Sequence, residues 1–334
     1  MNEHVPPTKP MLSPTALAVA MAKENGFQAI KVTDRAAWLE LRGVDVTASV
    51  IGALFREHDF MTAFRLYQLK TGIVIEDPEE SAPMQRGRLL EPVAVQLLRE
   101  MRPDWTVDHN SGPGSYYFRD PAARMGATPD ILVLDPERGL GVVQTKSVEP
   151  SIFRRKWKVD DWHVEPPLWI ALQALVEMEL TGARWAAVAP LVVSFGVDMP
   201  VIDIPATPGL MATVREKIAE FWQMVADGVE PTPEYGKDAA VIAALYGEDD
   251  GGTVDLSGWN EGPGLAAEDK TLAAEIKERT KRRGEIKAEF LHRIGDAALA
   301  TFNGSVLATA KTTRRRAYEV AATSYRDLRI KDVA

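Results

Sequence analysis

The chain has 334 residues, 46% hydrophobic and 26% charged, with a formal net charge of −9. That composition belongs to a globular protein able to bury a substantial core, and it excludes wholesale disorder and collagen-like repeats. Cysteine is absent, which excludes disulfide frameworks, thiolate zinc sites and cysteine nucleophiles.

No apolar run reaches the ~18 residues of a membrane-spanning helix. The start lacks the basic-then-apolar order of a secretory leader, so a cytoplasmic protein with no membrane partner is expected. The five histidines (His4, His58, His109, His163, His292) are scattered and form no HExxH pair. Any metal must therefore rely mainly on carboxylates, which suit Mg²⁺ or Mn²⁺. Charge is uneven: Lys270 to Ala334 holds 15 Lys and Arg against 8 Asp and Glu. A basic tract on an acidic body permits a DNA surface.

In chain order, residues 1–33 read as a flexible N-terminal segment. Asp34 is placed to cap a short helix over 35–42, stopped by Gly43. A second helical pattern runs over 50–55, with Ser49 at its N-terminus, a location that attracts anions. Residues 84–101 predict a long helix with Leu89, Leu90, Val93, Val95, Leu97 and Leu98 on its apolar face and Glu91 inside that face. Over 116–148 the period changes to that of strands. Runs at 115–118, 131–134 and 140–146, with a turn at 135–139, predict a β-hairpin. Helix returns over 167–180, strands over 185–197 and 201–204, and helix over 207–228. Residues 229–264, rich in Pro, Gly and acid, read as a linker. A charge-laced helix over 266–294, paired at Glu275/Arg279 and Glu278/Arg282, and a basic hairpin over 305–330 form a C-terminal extension.

The chemistry concentrates on the hairpin. Gly126-Ala127-Thr128-Pro129-Asp130 leads into one strand, and Gln144-Thr145-Lys146 lies on its partner. Residues i and i+2 of a strand share a face, so Gln144 and Lys146 both point where Asp130 can meet them. This is a PD…QxK pattern. Carboxylate and amide oxygens with the Thr145 carbonyl can hold Mg²⁺ beside a scissile phosphate, while the lysine orients a water and offsets charge. Taken alone, the pattern equally describes a surface hairpin with a snorkelling lysine. Arg154 and Arg155 in the basic patch after this strand suit a duplex backbone or a solvated face. Trp162, Trp169, Trp185 and Trp222 read as core residues.

Further motifs flank the hairpin: Arg86-Gly87-Arg88-Leu89-Leu90-Glu91, Phe118-Arg119-Asp120, Gln173 with Met178 and Thr181-Gly182, and Arg42 seven residues before Ser49. Their order and spacing resemble the YqaJ-type viral recombinase and phage lambda exonuclease family over residues 34–182. The resemblance implies an α/β, restriction-endonuclease-like core over 34–228. It implies Mg²⁺-dependent, Mn²⁺-tolerant 5′-to-3′ digestion of double-stranded DNA ends to leave 3′ tails. It also implies work beside a single-strand annealing protein and a ring-shaped homo-oligomer. Carried over by residue, it puts Glu91, Asp130 and Gln144 on the metal and Lys146 on the catalytic lysine. Asp120 becomes a supporting acid, Gln173 a residue bordering the site, and Arg42 and Ser49 the holders of the 5′ phosphate.

Asp120 could instead cap the turn before Pro121. One departure matters: the family usually has glutamate at position 144, and an amide removes a charge and weakens metal binding. A working QxK variant and an inactivating replacement would look the same in the sequence. A RecB-like or restriction-type endonuclease and a catalytically silent DNA-end-binding protein are the competing readings.

Overall fold

The computed structural model describes residues 12–74, 81–160, 163–316, 328 and 330. The chain divides into two compact units, Met1–Ile242 and Ala243–Ala334.

The first unit opens on α1 (Pro14–Glu24), capped by the Ser13 hydroxyl, which accepts from the Ala16 N–H, with proline at the first position. After β1 (Gln28–Lys31) come α2 (Arg35–Val44), β2 (Val46–Thr47), a 3₁₀ helix (Ala48–Phe55), α3 (Ala63–Lys70) and α4 (Ala82–Met101). Strands follow: β3 (Thr106–His109), β4 (Tyr116–Asp120), β5 (Met125–Ala127), β6 (Ile131–Asp135) and β7 (Gly139–Val148). The chain then crosses through α5 (Pro150–Lys156) and α6 (Leu168–Thr181) to β8 (Trp185–Val193), β9 (Val197–Asp198) and β10 (Ile202–Ile204). It continues as α7 (Leu210–Asp227) and α8 (Tyr235–Leu245).

The larger sheet has the order β10-β8-β7-β6-β3, with β9 on the end of β8. Its β7–β8 pair is parallel, closed by the helical crossover, and its other pairs are antiparallel. The smaller sheet has the order β1-β4-β5-β2. One core cluster joins Val142, Val188, Leu172 and Val176 to α1, the 3₁₀ helix and the smaller sheet; a second packs α4 onto the opposite side of the larger sheet through Val95, Leu98, Val133 and Val143. The α/β class is as expected: a mixed sheet with helices on both faces.

Several expectations change. Residues 12–33 are not a free segment, because Ala18 and Ala22 of α1 are fully buried and β1 pairs with β4. Residues 1–11 of the expected flexible segment lie outside the described residues. In α4, Leu89 and Val93 are exposed while Ala94, Val95 and Leu98 carry the packing; the apolar stripe is narrower than the composition of the helix suggests. The segment read as a linker contains α8, whose Asp238 is fully buried and accepts from the Thr62 hydroxyl at 2.6 Å and the Glu234 N–H at 2.7 Å. Residues 229–242 therefore belong to the first unit.

In the second unit, α9 (Gly262–Ile294) buries none of its residues. Glu275 pairs with Arg279 as expected, whereas Arg282 turns to Glu285 and Arg293 to Glu289. The hairpin is β11 (Leu299–Phe302) with β12 (Ser305–Thr309), earlier than expected. Residues 317–327, 329 and 331–334 of the expected 305–330 hairpin and the chain end, like Trp162, lie outside the described residues.

Candidate active site

The β6–β7 pair aligns Ile131 with Val143, which puts Asp130, one residue before β6, beside Gln144 and Thr145. Asp130 Oδ2 accepts from the Gln144 amide, from the Thr145 N–H at 3.1 Å and from the Thr145 hydroxyl at 3.1 Å. Asn110 fixes the approach to this carboxylate. Its side chain donates to the carbonyls of Tyr116 and Pro129, both at 3.0 Å, and accepts the Tyr116 N–H at 2.7 Å, while its own N–H donates to the Asp130 carbonyl at 2.9 Å. Burial pushes the Asp130 carboxyl up to about 6; the Glu91 charge adds to this, and Lys146 and the Thr145 bonds oppose it.

Glu91 reaches the same region from α4 and meets His109 Nε2 of β3 at 2.6 Å. Lys146 points to the Trp169 ring, with Nζ 5.9 Å from its centroid, and Trp169 in turn lies 4.4 Å from the His58 ring. Gly52 allows this packing, because a Cβ there would sit 2.4 Å from Trp169 Cβ. His58 Nδ1 accepts from the N–H groups of Phe60 and Met61, so Nε2 is the donor to the Ser49 carbonyl at 3.0 Å. Burial holds His58 below its usual range, in keeping with a neutral ring. Trp169 is thus a wall of the site rather than plain core, and Trp185 packs on Trp105.

The second cluster lies where α2 meets the 3₁₀ helix. Arg42 Nη2 donates to the Ser49 hydroxyl at 3.2 Å, and the Thr47 and Ser49 hydroxyls are 3.1 Å apart. The Arg42 guanidinium lies over the Trp38 ring at 4.4 Å, and Trp38 Nε1 donates to the Thr128 hydroxyl, two residues before Asp130, at 3.1 Å. Lys70 Nζ donates to the Arg42 carbonyl at 2.5 Å. Burial, with Arg42 adding to it, draws the Lys70 ammonium down to about 8. A guanidinium, an ammonium and two hydroxyls thus gather around one helix start, the donor set that an anion cradle needs.

The structure thus brings together Asp130, Gln144, Thr145, Lys146 and Glu91, and separately Arg42 with Ser49. Asp120 takes the turn-capping role: Oδ1 accepts from the Ala122 and Ala123 N–H groups, and Oδ2 meets Arg215 at 3.4 Å. Arg154 and Arg155 are exposed on α5. Gln173 is buried on α6, and its amide donates to Glu177 at 2.9 Å. His109, Lys70, His58 and Glu177 were not singled out from the sequence.

The donor chemistry suits a hard divalent ion. Gln144 Oε1, Gln173 Oε1 and Glu177 Oε2 are buried acceptors without a donor, and buried acceptors without donors are costly unless something positive approaches them. Among the described residues no three acids or histidines form a cation cluster by themselves, so the set depends on the amide and backbone oxygens that Gln144 and Thr145 add. A half-turn of the Gln144 amide replaces its N–H beside Asp130 with the free carbonyl oxygen.

An acid and a lysine brought together on one hairpin of an α/β fold is an arrangement that metal-assisted phosphodiester chemistry can use. Residues 37–184 match the model of the YqaJ-like viral recombinase domain. No curated protein matches the sequence. Among solved structures, the chain is similar to an alkaline exonuclease from Laribacter hongkongensis at 21% identity, covering 61% of this chain and 97% of that one with a TM-score of 0.44. It is also similar to a phage-related exonuclease from Haemophilus somnus at 11% identity, covering 54% and 93%, with a TM-score of 0.38. Among the described residues no helix is long and apolar enough to cross a membrane.

Proposed function

We propose that this chain is a phage-type, metal-dependent exonuclease that digests one strand of a DNA duplex from its 5′ end and leaves a 3′ tail for a single-strand annealing partner. The observation that carries the reading is the convergence of Asp130, Gln144, Thr145 and Lys146 on one hairpin, with Glu91 beside it, inside a YqaJ-like domain. Asp130, Gln144, the Thr145 carbonyl and Glu91 would hold Mg²⁺ or Mn²⁺. When bound, such an ion supplies Lewis-acid activation of phosphate and water. Lys146 orients the attacking water and offsets charge on the phosphate as its phosphorus becomes five-coordinate. Trp169 and His58 shield the lysine from bulk solvent. Arg42, Ser49 and Lys70 hold the terminal 5′ phosphate, and Gln173 supports the floor of the site. Arg154 and Arg155 contribute to the duplex path, and a ring-shaped homo-oligomer would keep the substrate enclosed.

The test is digestion of end-labelled duplex with Mg²⁺ by the full chain and by Asp130→Asn. Loss of all divalent-dependent cleavage in the variant is expected. Undiminished digestion would overturn the assignment, and binding of ends without cleavage by the parent chain would favour the silent end-binding reading.

A further inference from the structure

Position 144 is an amide where the resemblance leads one to expect an acid, yet the neighbourhood is not short of acids. Glu177 lies on α6, four residues after Gln173 and so on the same side of the helix, within electrostatic reach of Asp130 and Lys146. It is 1% exposed, and the Gln173 amide, donating at 2.9 Å, engages only one of its carboxylate oxygens. The other is among the buried acceptors without a donor, as are the amide oxygens of Gln173 and Gln144. A buried carboxylate with no cationic partner bonded to it is expensive: it takes up a proton unless a positive charge offsets it.

We propose that Glu177 supplies the carboxylate charge that Gln144 lacks, so that the acid of this cation site has moved from strand β7 to helix α6. Three observations agree. Glu177 is oriented by Gln173, which already borders the site. Asp130 and Lys146 both lie close enough to act on its charge: burial, followed by Asp130, raises its carboxyl well above the ordinary range, against the Gln173 bond and Lys146. Gln144, being neutral, bonds to Asp130 rather than repelling it, which leaves room for a second negative charge on the helix. The inference rests on the nuclease reading above and deepens it.

The experiment measures Mn²⁺ binding to the full chain, read by loss of the free-ion paramagnetic resonance signal, together with melting without metal. Glu177→Gln should weaken Mn²⁺ binding about tenfold or more while the metal-free melting temperature stays level or rises, because a buried acid has become an amide. The exchange Gln144→Glu with Glu177→Gln should recover affinity to within about threefold. Parent-like affinity in Glu177→Gln, or no recovery in the exchange, would overturn the proposal. Should Glu177→Gln fail to fold, Gln144→Glu alone decides: tightening by less than about threefold supports a charge already supplied, and tenfold or more opposes it. Asp130→Asn separates the two levels. If it binds Mn²⁺ like the parent, the nuclease reading fails; if it loses binding while Glu177→Gln keeps it, only the role of Glu177 fails.

Discussion

Glu91 of α4 and His109 of β3 meet at 2.6 Å. The histidine is anchored by the β3–β6 pairing, His109 against Ile131, so it holds the carboxylate beside the residue that follows Asp130. Partners of this kind fix the orientation of a ligand, and losing one commonly costs about 10–100-fold in metal affinity. His109→Ala should therefore raise the Mg²⁺ concentration for half-maximal cleavage by about tenfold with little change in the saturated rate. A metal titration of initial rates checks this, and an unchanged midpoint would make the pair purely structural.

Gln144→Glu places a second carboxylate against Asp130, which already titrates at about 6 because of burial, with Glu91 adding to it. A raised folded pKa makes a contribution that is fully present below the unfolded carboxyl range, about 4, and is lost as pH rises through the folded value. Without divalent ions, the variant should be less stable than the parent at pH 8, with the difference shrinking as pH falls to 5. Urea unfolding at the two pH values, repeated with Mg²⁺ to remove the difference, is the measurement.

Arg42→Ala should slow digestion of 5′-phosphorylated ends far more than of 5′-hydroxyl ends. A charge-assisted contact of roughly 1.5–3 kcal/mol is lost only where the phosphate exists. Equal slowing on both substrates would show that the arginine serves the fold through Ser49 and Trp38.

Lys70, drawn down to about 8 by burial, gives that recognition a pH dependence. Its charged form is the one an anion selects, so affinity for 5′-phosphorylated duplex should fall as pH rises from 7 to 9. In Lys70→Gln that slope should flatten. In the free protein the sign is opposite: the unfolded chain binds the extra proton above pH 8, so stability should rise with pH there.

Asp238→Ala removes a buried carboxylate and leaves the Thr62 hydroxyl and the Glu234 N–H without their acceptor. A loss of about 2–3 kcal/mol in chemical unfolding is expected. A change within about 0.5 kcal/mol, the usual range for a surface substitution, would mean that α8 contributes little to the first unit.

The hairpin was legible because two strong local signals coincide, the two-residue alternation of Gln144 and Lys146 and the Asp135 to Gly139 turn, and Asp34 announced α2 through its cap. Glu177 was not, since it sits within a helix of leucine, valine and alanine whose outer and inner faces read alike. His109 and Lys70 gain their meaning from contacts with α4 and α2 that no local pattern encodes. The α1 helix was hidden because its inner face is alanine, and α8 because acids and glycines surround it. Asp120 shows the reverse case, a motif position whose local turn chemistry prevailed.

The anion cradle and the acid–lysine hairpin are not independent attachments. Trp38 lies under Arg42 and bonds Thr128, which precedes Asp130 by a single proline. On the proposed reading, holding the end of a strand and cutting it would be parts of one short ruler made of an indole ring and three backbone units. Such a ruler would count: the phosphodiester presented for hydrolysis would be set by its spacing from the terminal phosphate, so the size of each bite would follow from the folded chain, whatever the bases.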